Sequence, residues 1–361
     1  MAKTNLQFRD LDIGTHERVI ECIDSSVGLH AIIAIHDTRL GPALGGIRAY
    51  PYASFEHALT DVLRLSQGMS HKAAVAQVGT GGGKAVIILK PGQIKTPELL
   101  RSFAEAVNSL GGQYICAEDY GVTQQDLALM AQYTRFIVGI PQTSGNPSPF
   151  TAFGGLRGIA AVCQHLWGSD SVEGKTIAIQ GLGAVGMQLA RGLFWAGANL
   201  IVSDINPEFV KLAVRDFSAV AVSTEEIASV ECDIFAPCAL GGILNQDTIA
   251  KLKCRAVAGL ANNQLLTSED GERLLARGIL YAPDYVINAG GLINVCQEIR
   301  KEGYDARAAR VLIAQLYDVL LKIFDLAEKK AISTNRVAQE IAEHHLDTGI
   351  GKRMQEPVFH H

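Results

Sequence analysis

The chain has 361 residues, of which 48% are hydrophobic and 19% are charged, and its formal net charge is −5. This length is too great for one compact core and predicts two domains. The composition is that of a globular protein, not of a disordered one. Without a cluster of Lys and Arg to neutralise phosphates, the chain is not expected to bind nucleic acid.

Neither the start of the chain nor its cysteines suggest export. The segment MAKTNLQFRDLDIG contains no apolar stretch of a secretory signal, and no apolar run is long enough to cross a bilayer. The seven cysteines are scattered and form no C-x-x-C pair, which indicates reduced thiols and not a disulfide framework or a metal site. We therefore expect a cytoplasmic protein with no membrane partner and no metal.

The first part of the chain predicts an α/β unit. Ser54 is a suitable N-cap, and the apolar residues that follow it fall at helical spacing. Two glycine-rich segments, 41–46 and 79–83, are predicted as turns. The predicted strands are 17–23, 29–36, 73–78, 85–89 and 113–117, and the predicted helices are 54–69, 97–110 and 123–131.

Turn-forming residues concentrate at 145–149 and predict a domain boundary there. Beyond it, strands alternate with helices, which is typical of a parallel sheet. The predicted strands are 176–180, 199–204, 234–236, 256–259 and 281–282, and 305–329 predicts one long amphipathic helix.

The predicted fold is therefore α/β with two domains separated by a cleft. Residues 1–147 would form the first domain, and residues 148–330 would form the second, parallel-sheet domain. The C-terminal helix, within 331–361, is expected to pack back on the first domain.

A glycine-rich turn follows the first strand of the second domain. Gly181, Gly183 and Gly186 fit the pattern G-x-G-x-x-G, with Ala184 and Val185 between them and an apolar helix at 187–195. The first glycine permits the tight turn, the second lets a pyrophosphate approach, and the third lets helix and strand pack closely. The helix N-terminus favours the phosphates. This context predicts a dinucleotide site.

Asp204 ends the next predicted strand and indicates which nicotinamide cofactor the chain binds. A carboxylate about 20 residues past the turn can accept hydrogen bonds from the adenosine ribose, and it would repel a 2′-phosphate. The following Ile205-Asn206 offers no Arg to bind such a phosphate. The sequence therefore predicts NAD as the cofactor in preference to NADP.

The segment 79–84 is not a phosphate loop, because Val78 and Ala85 stand where that motif requires Gly and Ser or Thr. Its glycines indicate backbone that can pass close to a ligand. Lys84 and Lys72 are both embedded in apolar sequence, where a lysine beside another cation would have a lowered pKa and could act as a base. A solvated surface amine is the alternative for either lysine.

Asp119 closes a further predicted strand. Taken alone, it has the character of an ordinary turn aspartate. It gains significance because an amine substrate needs a group to carry its proton.

Together these motifs resemble the amino-acid dehydrogenases of glutamate, leucine, valine and phenylalanine, and most of all the leucine dehydrogenases. The matching stretches, in the family's order, are 41–46, 68–72, 82–84, 117–121, 145–149, 237–241, 261–265 and 282–295. The chain departs from the family at 77–80, at Tyr120 and at Ala184. The first two lie near the substrate side and bear on the identity of the substrate, not on the reaction.

The resemblance implies a role for each matching residue. Lys72 would hold the substrate α-carboxylate, Lys84 would activate water, and Asp119 would exchange a proton with the substrate nitrogen. The implied substrate contacts also include Leu44, Gly45, Ala117, Asn263, Leu292 and Val295. The implied cofactor contacts, besides the glycine turn and Asp204, are Thr151, Ala239, Leu240 and Asn262.

The implied reaction is oxidative deamination. Hydride passes from the α-carbon to the nicotinamide, Lys84 deprotonates the water that attacks the iminium, and Asp119 protonates the departing ammonia. Leu44 stands where the similar glutamate dehydrogenases carry a lysine, so a side-chain acid would lie unpaired. This favours leucine, isoleucine or valine, with the 2-oxo acid and ammonia as the other small molecules bound.

Two alternatives stay open. One is an aromatic amino-acid dehydrogenase acting on Phe or Trp, because one methylene of pocket depth discriminates by only about 1–3 kcal/mol. The other is a catalytically silent NAD-binding regulator. The resemblance also implies that residues 1–147 are a substrate-binding and oligomerisation domain and that residues 148–330 are a Rossmann dinucleotide-binding domain. It further implies a homo-oligomer, an octamer or a dimer.

Overall fold

The computed structural model describes residues 5–239 and 241–360. Their Cα positions divide into two compact units. The first unit takes the N-terminal part of the chain through Asn146, together with Val295–Ala306 and the C-terminal part from Ala342. The second unit consists of Pro147–Asn294 and Arg307–Ile341.

A six-stranded mixed sheet forms the centre of the first unit, in the order β1-β2-β3-β5-β4-β6. Its strands are β1 Gln7–Leu11, β2 Arg18–Asp24, β3 Leu29–Asp37, β4 Ala43–Tyr50, β5 Gly81–Ile88 and β6 Tyr114–Glu118. Neighbours from β1 to β5 are antiparallel, whereas β4 is parallel to both β5 and β6. Because β4 is inserted between β5 and β6, the side chains at the ends of these three strands come together.

Helices cover both faces of this sheet. They are α1 Phe55–Ala76, α2 Pro97–Ser109 and α3 Gln124–Met130. One apolar cluster packs α1 against the sheet through Val62, Ile32 and Val86, and a larger one includes Phe103 of α2 and Leu127 of α3.

The second unit contains a parallel six-stranded sheet in the order β12-β11-β10-β7-β8-β9. Its strands are β7 Thr176–Gln180, β8 Asn199–Ser203, β9 Val220–Ala221, β10 Ile234–Pro237, β11 Ala256–Val257 and β12 Leu280–Tyr281. Counted from β7 as the first strand, this is the 3-2-1-4-5-6 order of the Rossmann fold. The strand order reverses between β7 and β10, the point at which such folds bind dinucleotides.

The remaining helices follow in chain order. They are α4 Ser148–Trp167, α5 Ala184–Trp195, α6 Pro207–Phe217, α7 Gln246–Lys251, α8 Glu269–Ala276, α9 Asp284–Ile287, α10 Gly290–Cys296, α11 Ala306–Ala314, α12 Leu316–Lys330 and α13 Thr334–Thr348. Across residues 5–239 and 241–360, no helix combines the length and the apolar character needed to cross a membrane.

Four predicted elements of the chain are wrong. The strand predicted at 73–78 is mostly the end of α1, which continues to Ala76 before Gln77 turns with φ 50°. A short run of Ala and Val cannot be told from a buried helix by its periodicity. The turns predicted at 41–46 and 79–83 contain the starts of β4 and β5, and the single helix predicted at 305–329 is divided at Gln315 into α11 and α12.

The C-terminal tail of the first unit lies against the segment that precedes β5. The backbone N–H of Arg353 donates to the carbonyl of Leu40 at 2.9 Å, and its Nε donates to the carbonyl of Gly79 at 2.9 Å. The ring of Phe359 lies edge-on to that of Phe136, with centroids 5.4 Å apart. The tail therefore fixes the turn before β4 and the glycine segment before Lys84.

Candidate active site

Strands β4, β5 and β6 bring three charged side chains of the first unit together. The Nζ of Lys84 lies 2.6 Å from Oδ2 of Asp119. The Nε of Arg48 lies 3.3 Å from the same oxygen. The side chains of Lys84 and Asp119 are 8% and 18% exposed, so the pair is largely shielded from water without being sealed.

These two cations control the charge of Asp119. Burial by itself would raise the pKa of the carboxyl group, but the charges of Lys84 and Arg48 outweigh it and lower the pKa from 3.8 to about 2. Asp119 is therefore ionised at neutral pH and can accept a proton. The sequence predicted another cation beside Lys84, whereas its close partner in the structure is this carboxylate.

Glycines make this arrangement possible. A Cβ on Gly82 would lie 2.1 Å from the backbone nitrogen of Ser70 in α1, and a Cβ on Gly46 would lie 2.7 Å from the Cβ of Asp119. Real Cβ atoms do not come so close to other atoms. The sequence predicted that the backbone at 79–83 would pass close to a ligand, but beside Gly82 the chain's own backbone fills that space.

Arg48 was not among the predicted site residues. Its Nη1 lies 2.9 Å from Oδ2 of Asp61, which also accepts a hydrogen bond from the hydroxyl of Tyr52 at 2.6 Å. Burial would lower the pKa of Arg48, but Asp119 and Asp61 raise it, so the guanidinium keeps its charge. The available signal was an arginine two residues after the last glycine of the 41–46 motif.

The other predicted substrate contacts divide between the two units. Leu44 and Gly45 on β4 pair with Ile115 and Cys116 on β6, and Leu44 is buried. Lys72 is half-buried in α1, two residues after Ser70. The first unit also contains the buried Ala117 and Val295, and the second unit contains Asn263 and Leu292.

The glycine turn between β7 and α5 has the geometry of a phosphate site. Gly181 has φ 95°, and a Cβ there would lie 2.8 Å from the Cβ of Ala239. A Cβ on Gly186 would lie 2.0 Å from the carbonyl oxygen of Gly181. A Cβ on Gly183 would meet no described atom within 4 Å, and Gly183 supplies no side-chain cap to α5. The N-terminus of α5 therefore offers a phosphate both open space and backbone N–H donors.

Asp204 follows β8 and is held in place by backbone donors. Its Oδ2 accepts a hydrogen bond from the N–H of Leu182 at 2.6 Å, and its Oδ1 accepts one from the N–H of Asn206 at 2.7 Å. Each carboxylate oxygen has a second lone pair for a further donor. These residues fit a nicotinamide dinucleotide, with the pyrophosphate at the turn and the ribose at Asp204.

Asn262 has a hydrogen-bond partner that was not predicted from the sequence. The Nδ2 of Asn288 donates to Oδ1 of Asn262 at 2.9 Å. Asn288 is buried, and its Oδ1 has no hydrogen-bond partner among the described residues. The only signal was its place inside the 282–295 motif. Asn288 therefore orients the side chain of Asn262.

The remaining predicted residues are placed as follows. Thr151 lies in the first turn of α4 and donates from Oγ1 to the carbonyl of Pro147 at 3.2 Å. Ala184 and Val185 begin α5. Leu240 lies outside the described residues. Within 5–239 and 241–360, no group of three or more His, Cys, Asp or Glu side chains is arranged to hold a metal ion.

Comparison with known proteins identifies the family. Residues 16–136 match the Glu/Leu/Phe/Val dehydrogenase dimerisation domain. Residues 205–303 match the Glutamate/Leucine/Phenylalanine/Valine dehydrogenase domain. The two matches cover more than half of the chain.

Individual relatives are similar along nearly all of it. The leucine dehydrogenase of Geobacillus stearothermophilus is 48% identical over 94% of this chain and 93% of its own length. The phenylalanine dehydrogenase of Caldalkalibacillus thermarum is 49% identical over 92% of each chain. The crystal structure of L-tryptophan dehydrogenase from Nostoc punctiforme superposes with a TM-score of 0.80 at 44% identity, covering 93% of this chain and 97% of that one.

The chain therefore belongs to the Glu/Leu/Phe/Val dehydrogenase family. It is an amino-acid dehydrogenase, an oxidoreductase whose family uses a nicotinamide dinucleotide. The predicted fold class, an N-terminal α/β domain followed by a Rossmann domain, is confirmed. This membership favours an enzyme over the silent regulator considered from the sequence.

Proposed function

We propose that the protein catalyses the reversible, NAD-dependent oxidative deamination of leucine, isoleucine or valine to the 2-oxo acid and ammonia. The observation that carries the proposal is the contact of Lys84 with Asp119, reinforced by Arg48. This contact places a carboxylate that can accept a proton beside an amine that can deprotonate water.

The chain's own residues have distinct tasks in this reaction. Lys72 binds the α-carboxylate, and such orientation can contribute about 7–11 kcal/mol in well-aligned systems. Asp119, which is ionised in the free protein, accepts a proton from the substrate nitrogen and later returns it to the departing ammonia. Lys84 deprotonates the water that adds to the iminium carbon. NAD, when bound, accepts the hydride from the α-carbon.

Asp204 supports NAD over NADP. Its carboxylate would bind the ribose hydroxyls and repel a 2′-phosphate, and the following Ile205 and Asn206 carry no positive charge to neutralise that phosphate. Asn262 and Thr151, with the segment at 239–240, are proposed to contact the cofactor. Initial rates measured with NAD and with NADP test this, and a higher kcat/KM with NADP would refute it.

The apolar character of the predicted substrate contacts supports a branched-chain substrate. Leu44, Ala117, Leu292 and Val295 offer no charge to a substrate acid, so glutamate would lose its side-chain hydration without gaining a partner. Gly45 and Asn263 are proposed to complete the site. Because a relative that is 49% identical is named phenylalanine dehydrogenase, an aromatic amino acid is the second candidate substrate.

A panel of L-amino acids decides between these substrates. NADH formation is followed at 340 nm with Leu, Ile, Val, Phe, Trp and Glu, and kcat/KM is compared. We expect the branched-chain substrates to exceed the aromatic ones, and glutamate to be inactive. Higher values for Phe or Trp would establish the aromatic alternative, and a chain inactive on all six would refute the proposal.

We also propose that the first unit assembles the protein into a homo-oligomer, a dimer or an octamer. Strand β1 forms one edge of its sheet, and Phe8 on that strand is 46% exposed. An exposed edge strand offers unpaired N–H and C=O groups to another chain. Light scattering tests this, and a monomer mass would refute it.

A further inference from the structure

Two cysteines lie opposite each other at the amino ends of neighbouring strands in the second unit. Glu231 pairs with Lys253, and Ile234 pairs with Ala256 in the same parallel register, which places Cys232 opposite Cys254. Paired strands are about 4.8 Å apart. Disulfides require Cα atoms about 4.4–6.8 Å apart. The backbone therefore already holds the two residues at a suitable separation.

Because they occupy paired positions in a parallel register, the two side chains lie on the same face of the sheet. Cys254 belongs to the apolar cluster that contains Ala178 and Phe235, and Cys232 packs against that cluster. Cys254 is 9% exposed, whereas Cys232 is half-buried and open to small molecules from solvent.

The electrostatic surroundings distinguish this pair from the other thiols. The neighbouring Cys232 lowers the pKa of Cys254 against the effect of burial, and the charge of Arg277 adds to this lowering, whereas Cys254 and burial raise the pKa of Cys232. Burial raises the pKa of Cys22, Cys116, Cys238 and Cys296 to about 12 and that of Cys163 to about 11. Thiol reactivity follows the thiolate, so within the pair it concentrates at Cys254.

We propose that Cys232 and Cys254 form a reactive dithiol that small-molecule disulfides convert into an intramolecular disulfide. One thiolate attacks the small disulfide, forms a mixed disulfide and releases one small thiol. The other thiolate then displaces the second small thiol and forms the S–S bond. The protein loses two protons and two electrons, and the small disulfide gains them as two thiols.

This modification lies away from the reaction. Cys232 and Cys254 precede β10 and β11, whereas Gly181 and Ala239 follow the carboxyl ends of β7 and β10. Because the sheet is parallel, the cysteines and the glycine turn lie at opposite ends of its strands. The proposal therefore stands independently of the substrate and the direction of the dehydrogenase.

The test is oxidation of the native, fully reduced protein with glutathione disulfide, followed by alkylation of the remaining thiols and peptide mass mapping. We expect alkylated thiols to fall from seven to five, with a cross-linked peptide containing Cys232 and Cys254. C232S and C254S should each lack this cross-link, whereas C163S should still form it. Circular dichroism of each variant verifies that it is folded.

The outcomes that would overturn the proposal are specific. Seven alkylated thiols after treatment would show that the pair does not react. A mixed disulfide with glutathione that persists at either cysteine in the wild type would show that the other cysteine does not displace it. A cross-link through any other cysteine would contradict the assignment.

Discussion

Lys84 reaches Asp119 across an intervening strand. The two residues lie on β5 and at the end of β6, and β4 runs between them, yet Nζ and Oδ2 are 2.6 Å apart. The contact is possible because β4 carries Gly46 at the position beside Asp119, where a Cβ would lie 2.7 Å from that of the aspartate. The glycine pair of the 41–46 motif is thus part of the geometry of the acid–base pair.

Replacing Lys84 should remove catalysis without removing the cofactor. We expect Lys84→Ala to lower kcat by about 10²–10⁴-fold, the range for a lost general base. NAD binding, measured by calorimetry, should be unchanged, because the glycine turn lies in the other unit. Lys90→Ala is the matched control, since Lys90 is exposed on the same segment. A Lys84→Ala variant that keeps its activity would remove this residue from the mechanism.

Asp119 should make an acid-sensitive contribution to stability. Its folded-state pKa is lowered from 3.8 to about 2, so the contribution is complete above about pH 4 and is lost as the pH falls through 2. This lowering corresponds to roughly 2 kcal/mol. Urea unfolding of the wild type and Asp119→Asn should therefore show a stability difference that shrinks between pH 4 and pH 2. A difference that stays constant over this range would contradict the assignment.

Arg48 should act through the ionisation of Asp119. In Arg48→Gln the carboxylate loses one of its two cationic neighbours, so its pKa should rise, by about 1–3 units for an arginine partner. Glu118 and Tyr114 of β6 and Lys84 of β5 face the same group and are unchanged in the variant.

The measurement is the pH dependence of kcat/KM. Its acidic limb should move to higher pH in Arg48→Gln and stay in place in Arg18→Gln, a control in which an exposed arginine is replaced. A lower kcat with an unmoved limb would show that Arg48 has only a structural role.

Two glycines of the cofactor turn should respond in opposite ways to the same substitution. Gly183→Ala places its methyl group in open space, so the variant should fold with an unchanged Tm but bind NAD at least about tenfold more weakly, because the methyl occupies the pyrophosphate position. Gly186→Ala would bring a methyl to 2.0 Å from the carbonyl oxygen of Gly181 and should lower Tm. Thermal melts and NAD titrations measure both, and normal NAD affinity in Gly183→Ala would refute the placement.

Local signals were sufficient to predict much of the fold. The five strands predicted for the second unit and the turn at 181–186 are confirmed, because a buried strand, a glycine turn and a helix follow one another directly in sequence, whereas the two-residue β9 was not predicted. Strand β4 was missed, since the glycines that allow its close packing also make its sequence look like a turn. The last turn of α1 was misassigned because buried Ala and Val suit either element.

The partners within the site depend on topology and could not be predicted. Arg48 meets Asp119 only because β4 is inserted between β5 and β6, out of chain order. Asn288 meets Asn262 through packing after the last strand. No periodicity or motif spacing encodes such contacts. Lys84 and Asp119, in contrast, could be predicted as site residues because each stands in a recognisable motif.

The two hydrogen bonds that Asp204 accepts from the backbone impose a limit on redesign. The carboxylate proposed to choose between the two nicotinamide cofactors is also a structural support of the phosphate turn, through Leu182. An engineer who exchanges it for a small neutral residue to admit NADP would loosen the turn that either cofactor needs. A change of cofactor must therefore supply a new hydrogen-bond acceptor for the N–H of Leu182 as well as a new cation for the 2′-phosphate. We expect no single substitution at this position to do both.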